Sequence, residues 1–231
     1  MLRQISWLAV VLAIAGCNSR VDEFEAPEQF MFASVEMEIK HATIYGVLNT
    51  PEWSRFNGQL DRIEWYVEIV GAKPRRIRTP FRISFNSVSD GVDSWQDLES
   101  VDINWTDPTN PLTGTPNALV EAVQPQWAQA STRQIVARDG FVRVVARNGA
   151  KFRVVAEGTT DSSVPFSLNA TFEFTGITVH GAGADDEQTL SRRLESELPG
   201  HDLVLERVER KENENPAVTF AHFIPQAKLG I

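Results

Sequence analysis

Four stretches of the chain place an apolar side chain at nearly every second position. Val35, Met37 and Ile39 alternate with Glu36, Glu38 and Lys40. Ile63, Trp65, Val67 and Ile69 alternate with Glu64, Tyr66 and Glu68. Ile77, Phe81, Ile83 and Phe85 alternate with Arg76, Arg78 and Arg82. Phe166, Leu168, Ala170, Phe172 and Phe174 alternate with Ser167, Asn169, Thr171 and Glu173. A period of two puts one set on a buried face and the other in water, the pattern of antiparallel strands.

Turn chemistry punctuates the middle of the chain. Asp139-Gly140 and Asn148-Gly149 are two-residue hairpin signals, because Asn, Asp and Gly accept positive φ. They predict a meander of three strands at 134–138, 141–147 and 151–156. Helices are few. Thr115-Pro116 predicts a short helix running to Val123, since proline suits the first helical position. Thr50-Pro51 predicts a single turn carrying Trp53 in the same way. Leu190, Leu194 and Leu198 recur every four residues before Pro199-Gly200, which predicts an amphipathic helix over 187–198. Two strands, near 201–210 and 217–223, follow it.

Together these elements predict a mainly β fold: an antiparallel β-sandwich or related barrel with one amphipathic helix near the C-terminus. Residues 30–231 read as a single β-rich domain. The helix–strand–strand unit at 185–225 belongs to it, because so short a piece makes a marginal domain alone.

Composition changes the picture in two ways. The 231 residues carry 22 basic and 31 acidic side chains, a formal charge of −9, which argues against nucleic acid as a partner. There is one cysteine, so neither an intramolecular disulfide nor a multi-cysteine metal site is available. That cysteine, Cys17, closes a leader. Arg3 is followed by a run from Ile5 to Ala15 that is apolar apart from Ser6, then by Gly16, Cys17 and polar Asn18-Ser19-Arg20. The run is short for a bilayer span and has the flanks of a secretory signal.

At Ile14-Ala15-Gly16-Cys17 the leader resembles the lipobox of bacterial lipoproteins. The resemblance implies that residues 1–16 are a cleaved signal peptide and that Cys17 is lipidated. It implies a cell-envelope protein whose membrane partner is reached through the N-terminal lipid. Asn18 is not the aspartate that favours inner-membrane retention in that class, so outer membrane is expected over inner. An acidic body gains nothing from an anionic surface, so the lipid must hold it there. Residues 17–29 are polar and acidic and read as a tether.

No motif of a known catalytic class appears, and no catalytic or metal residue is assigned. Three patterns carry candidate chemistry. Arg76, Arg78 and Arg82 share a strand face and could grip an anionic polymer through guanidinium forks; the plainer alternative is pairing with Glu64, Glu68 or Glu173. A second basic set is Arg143, Arg147, Lys151 and Arg153. Residues 90–107 hold Asp90, Asp93, Asp97, Glu99, Asp102 and Asp107 around Trp95 and Trp105. That mixture suits Ca²⁺ or a stacked sugar, or else an acidic loop whose tryptophans plug the end of the fold. No other cofactor is expected.

These patterns predict a non-catalytic binding module for an envelope protein or an anionic or sugar polymer. One rival is a carboxylate-dependent hydrolase using Asp93, Asp97 and His180. Another is an assembly accessory that pairs through a sheet edge.

Overall fold

The computed structural model describes residues 22–57, 62–73, 76–85, 92, 94–109, 117–122, 134–212 and 217–229. Cys17 and the leader lie outside the described residues. The strands are β1 (Gln29–Phe32), β2 (Val35–Glu36), β3 (Glu38–Asn49), β4 (Glu64–Lys73), β5 (Arg76–Phe85) and β6 (Asp102–Trp105). They continue as β7 (Ala118–Ala122), β8 (Gln134–Asn148), β9 (Lys151–Thr160), β10 (Pro165–Ala182), β11 (Leu203–Lys211) and β12 (Val218–Pro225). The helices are α1 (Asp22–Glu25), α2 (Pro51–Asn57) and α3 (Glu187–Glu197), with a 3-10 helix over Trp95–Ser100.

The hydrogen-bonded neighbours run β3–β4–β5–β7–β8–β9–β10 and return from β10 to β3. The sheet is therefore closed into a barrel, the barrel branch of the predicted class. All of these pairings are antiparallel except β10 with β3. The long strand β10 makes the closure. Its first half pairs with β9 and its second half with β3, the two partners meeting at Glu173. Its far end also pairs with β12, which carries β11 as an outer edge. The C-terminal unit is thus a wing of the same sheet.

The alternation seen in the sequence sets the interior. Ile44, Trp65, Val67, Ile69, Ile83, Phe85, Phe152, Val154, Phe172 and Phe174 are buried in one cluster. Leu190, Leu194 and Leu198 join it from α3, so the leucine stripe docks on the protein's own sheet. Asp186 caps that helix, accepting from Thr189 N at 2.8 Å. Thr50 Oγ1 accepts from Trp53 N at 3.4 Å at the start of α2, as the Thr-Pro signal predicts.

Two expectations are corrected. Residues 118–122 form strand β7 instead of continuing a helix, because Ala118 and Val120 face the core between β5 and β8. Thr115 and Pro116 lie outside the described residues. Asp139-Gly140 is not a turn, since β8 runs through it as one strand of 15 residues. A bulge between Ala137 and Asp139 shifts the register there, and Gly140 faces Gly158 on β9. A Cβ on Gly140 would strike Glu157 O and the Trp105 ring. The glycine serves close approach, not a reversal. Asn148-Gly149 is the hairpin expected, with Gly149 at φ 59° and Asn148 opposite Lys151.

Candidate binding site

Trp95 and Trp105 are inside. They are 5% and 7% exposed. Trp95 stacks on Phe174 at 4.9 Å and 11°, and its Nε1 donates to Asp202 Oδ1 at 2.7 Å. The Arg147 guanidinium lies 5.6 Å from its ring. Trp105 meets Phe85 edge-on at 6.3 Å. Both indoles close the barrel interior, and the faces a sugar would need are taken up by the protein.

Two members of the second basic set, Arg143 and Arg147, meet the acidic run. Asp97 accepts from Ser94 at 2.8 Å, Glu99 pairs with Arg147 at 3.2 Å, and Asp102 pairs with Arg143 at 2.9 Å. Asp107 accepts from Thr109 N at 2.9 Å. These carboxylates have separate partners. Among the described residues no three metal-ligating side chains gather. Asp90 and Asp93 lie outside the described residues. On β5, Arg82 pairs with Glu68 at 3.2 Å, the cross-strand partner that parity offers. Arg76 and Arg78 are in the same strand, and their side chains are outside the described residues.

A different place brings chemistry together. At the seam where β3, β10, β12 and β11 lie side by side, a cleft of about 560 Å³ opens on the outer face of the sheet. Its lining includes Tyr45, Thr175, Thr178, Arg207 and His222. The register explains the grouping, since Thr178 faces His222 across β10–β12 and His222 faces Arg207 across β12–β11. Gly176 makes the seam possible. It sits at φ 124° beside a register shift, and a Cβ there would collide with Phe223 O.

The polar groups in the cleft are held rather than loose. Thr178 Oγ1 lies 3.1 Å from His222 Nδ1. Arg207 donates to Glu209 at 2.7 Å and to Glu206 at 2.6 Å, so its charge is balanced twice. Burial, followed by the field of Arg207, lowers the His222 pKa below the ordinary histidine value against the opposing pull of Glu209 and Glu206, which favours the neutral ring. Tyr45 stacks on Tyr66 at 5.1 Å and 14°. The Tyr66 hydroxyl donates to Glu64 at 3.1 Å, and burial followed by the Glu64 charge raises its pKa. One pair along, His180 meets Phe220 edge-on at 4.8 Å.

Chemically the cleft offers a rigid aromatic ring, two threonine hydroxyls, a neutral imidazole and a neutralised guanidinium. These groups recognise a polar, uncharged ligand better than an anion. Sequence reasoning missed it because β3 is far from the other three strands along the chain and only their register brings the side chains together. The available signal was the outward set of the alternation, where Tyr45, Tyr66, Thr178, Phe220 and His222 stand in place of the usual Lys and Glu.

The remaining candidates have structural partners. Asp185 accepts from Thr50 Oγ1 at 3.2 Å and from Ala182 N at 2.7 Å, fastening the end of β3 to the loop before α3. Among the described residues, no helix is long and apolar enough to cross a membrane. Comparison with protein-family models, curated proteins and solved structures finds no match.

Proposed function

We propose that this chain is the body of a lipid-anchored cell-envelope lipoprotein, sorted to the outer membrane, that works by binding. Its ligand is a neutral saccharide stretch of an envelope polymer, held in the cleft between Tyr45 and Arg207. One observation carries the ligand class: a backed aromatic ring lines one cleft with hydroxyl and imidazole groups while Arg207 is balanced by two glutamates. A sugar stacks its C–H face on such a ring and exchanges hydroxyl hydrogen bonds with its neighbours. An anionic polymer would meet Glu206 and Glu209 beside the arginine. The lipid anchor is supported by the Ile14-Ala15-Gly16-Cys17 leader.

Two further observations weigh on the rivals. Asp97 lies within a 3-10 helix and accepts from its N-cap Ser94, and His180 packs against Phe220, so neither is poised for acid–base work. The outer edge strand β11 carries Glu206, Arg207, Glu209, Arg210 and Lys211 and a bulge between Leu205 and Arg207. Charges and bulges are what keep an edge from pairing with another chain.

The test is binding of neutral chito-oligosaccharide and dextran against the polyanion heparin, measured by calorimetry on the intact protein. The neutral glycans bind and heparin does not. Tyr45→Ala weakens binding about tenfold, through loss of one stacked ring. Tight heparin binding, or unchanged glycan affinity in a folded Tyr45→Ala, His222→Ala double variant, overturns the ligand assignment. Mass spectrometry of the N-terminal peptide tests the anchor, with acylated Cys17 expected.

A further inference from the structure

Arg153 lies on β9 between core residues Phe152 and Val154, and parity turns it away from the barrel interior. It is nevertheless 1% exposed. The chain ahead of β1 crosses over it. Arg153 Nη2 donates to Ala26 O and to Pro27 O, each at 3.0 Å, and Nη1 donates to Thr171 Oγ1 at 3.3 Å. Glu28 Oε1 stands 3.9 Å from Nη1 and accepts from Thr171 N at 3.0 Å. Thr171 lies on the edge of β10 between the end of its pairing with β1 and the start of its pairing with β3, so the carboxylate fills a gap in the ladder. α1 lies against β8. Burial lowers the Arg153 pKa, while Glu28 and Glu23 favour its charge, and a guanidinium stays protonated regardless.

A charge this buried is tolerated only while its partners stay in place. We propose that residues 22–28 are a strap clasped by Arg153, and that the strap turns the β8–β9–β10 face of the barrel toward the lipid bilayer. The membrane half rests on the proposed lipidation of Cys17. Five residue steps separate Cys17 from Asp22, about 18 Å at full extension. A face fastened there cannot swing far from the surface, whereas a tether free to residue 29 would let the barrel tumble. The order of strands around the ring puts β4 and β5 opposite β9.

The experiment uses the full mature lipidated protein on phosphatidylcholine vesicles that carry a headgroup acceptor dye. A donor attached through Lys151→Cys, beside the clasp, transfers more energy than one attached through Ser84→Cys on β5. Arg153→Ala abolishes that difference and opens residues 22–28 to a glutamate-specific protease. Equal transfer from the two positions in the otherwise unaltered protein overturns the membrane placement. A strap that stays protected in Arg153→Ala overturns the clasp. Should Arg153→Ala fail to fold, Glu28→Ala lies outside the barrel and reads the same release. Protein that never joins the vesicles defeats the lipid reading and the membrane placement together, while the protease pattern in solution still decides the clasp.

Discussion

His180 meets the ring of Phe220, with His222 and Lys211 nearby, on the outer face of the wing. Burial first, and then those two neighbours, lower its pKa from 6.5 to about 4. The consequence for stability has a definite sign. Below pH 6.5 the unfolded chain takes up a proton that the folded chain refuses until about pH 4. Stability from this residue is therefore complete above pH 6.5 and lost as pH falls toward 4, by about 3 kcal/mol. Urea denaturation at pH 7 and pH 4.5 should show the drop, and His180→Gln should show a shallower one. Equal slopes in the two proteins would assign the acid lability to carboxylates alone. At this scale the sequence was a partial guide. It placed Trp95 and Trp105 among acids and left two destinations open, a sugar platform or a plug at the end of the fold, because burial depends on strands elsewhere; both are buried. It grouped Arg153 with surface arginines, because its partners Ala26 and Pro27 lie more than a hundred residues earlier.

Glycine at the element scale shows why some structure was legible and some was not. Most strands announced themselves through the period of two, since one buried face demands it, though the short β7 did not. Turns did so only in part, because one residue type serves two purposes. Gly149 occupies a hairpin tip at φ 59° with open space around it. Gly140 lies within β8 with Glu157 O and Trp105 where a Cβ would go. The dipeptides look alike and the demands differ. Gly149→Asn should therefore be close to neutral, because asparagine tolerates positive φ. Gly140→Asn should cost about 3 kcal/mol through forced repacking at Trp105. Urea midpoints of the two variants check this directly, and similar losses in both would restore a turn at Asp139-Gly140. The candidate cleft suffers from the same limit. Its residues show as oddities on the wet face of several strands, but only the register of β10 with β12 and of β12 with β11 puts them side by side.

At the scale of the molecule, β10 carries three duties: it closes the barrel, pairs with β1, and supports the wing. The seven strands of the ring are complete without β11 and β12. The wing still contributes Leu190, Leu194, Leu198, Leu203, Ala221 and Phe223 to the common core. It also covers the edge of β10 at residues 177–182. A chain ending at residue 184 therefore keeps its barrel pairings but bares both an apolar face and an open strand edge. Exposed edges of that kind recruit other chains. The shortened protein should retain β-type circular dichroism, associate in a concentration-dependent way during sedimentation, and bind no glycan, because Arg207 and His222 are gone. A monomeric, soluble fragment would mean that the wing is an independent appendage and that the cleft at its seam is a contact between separate bodies.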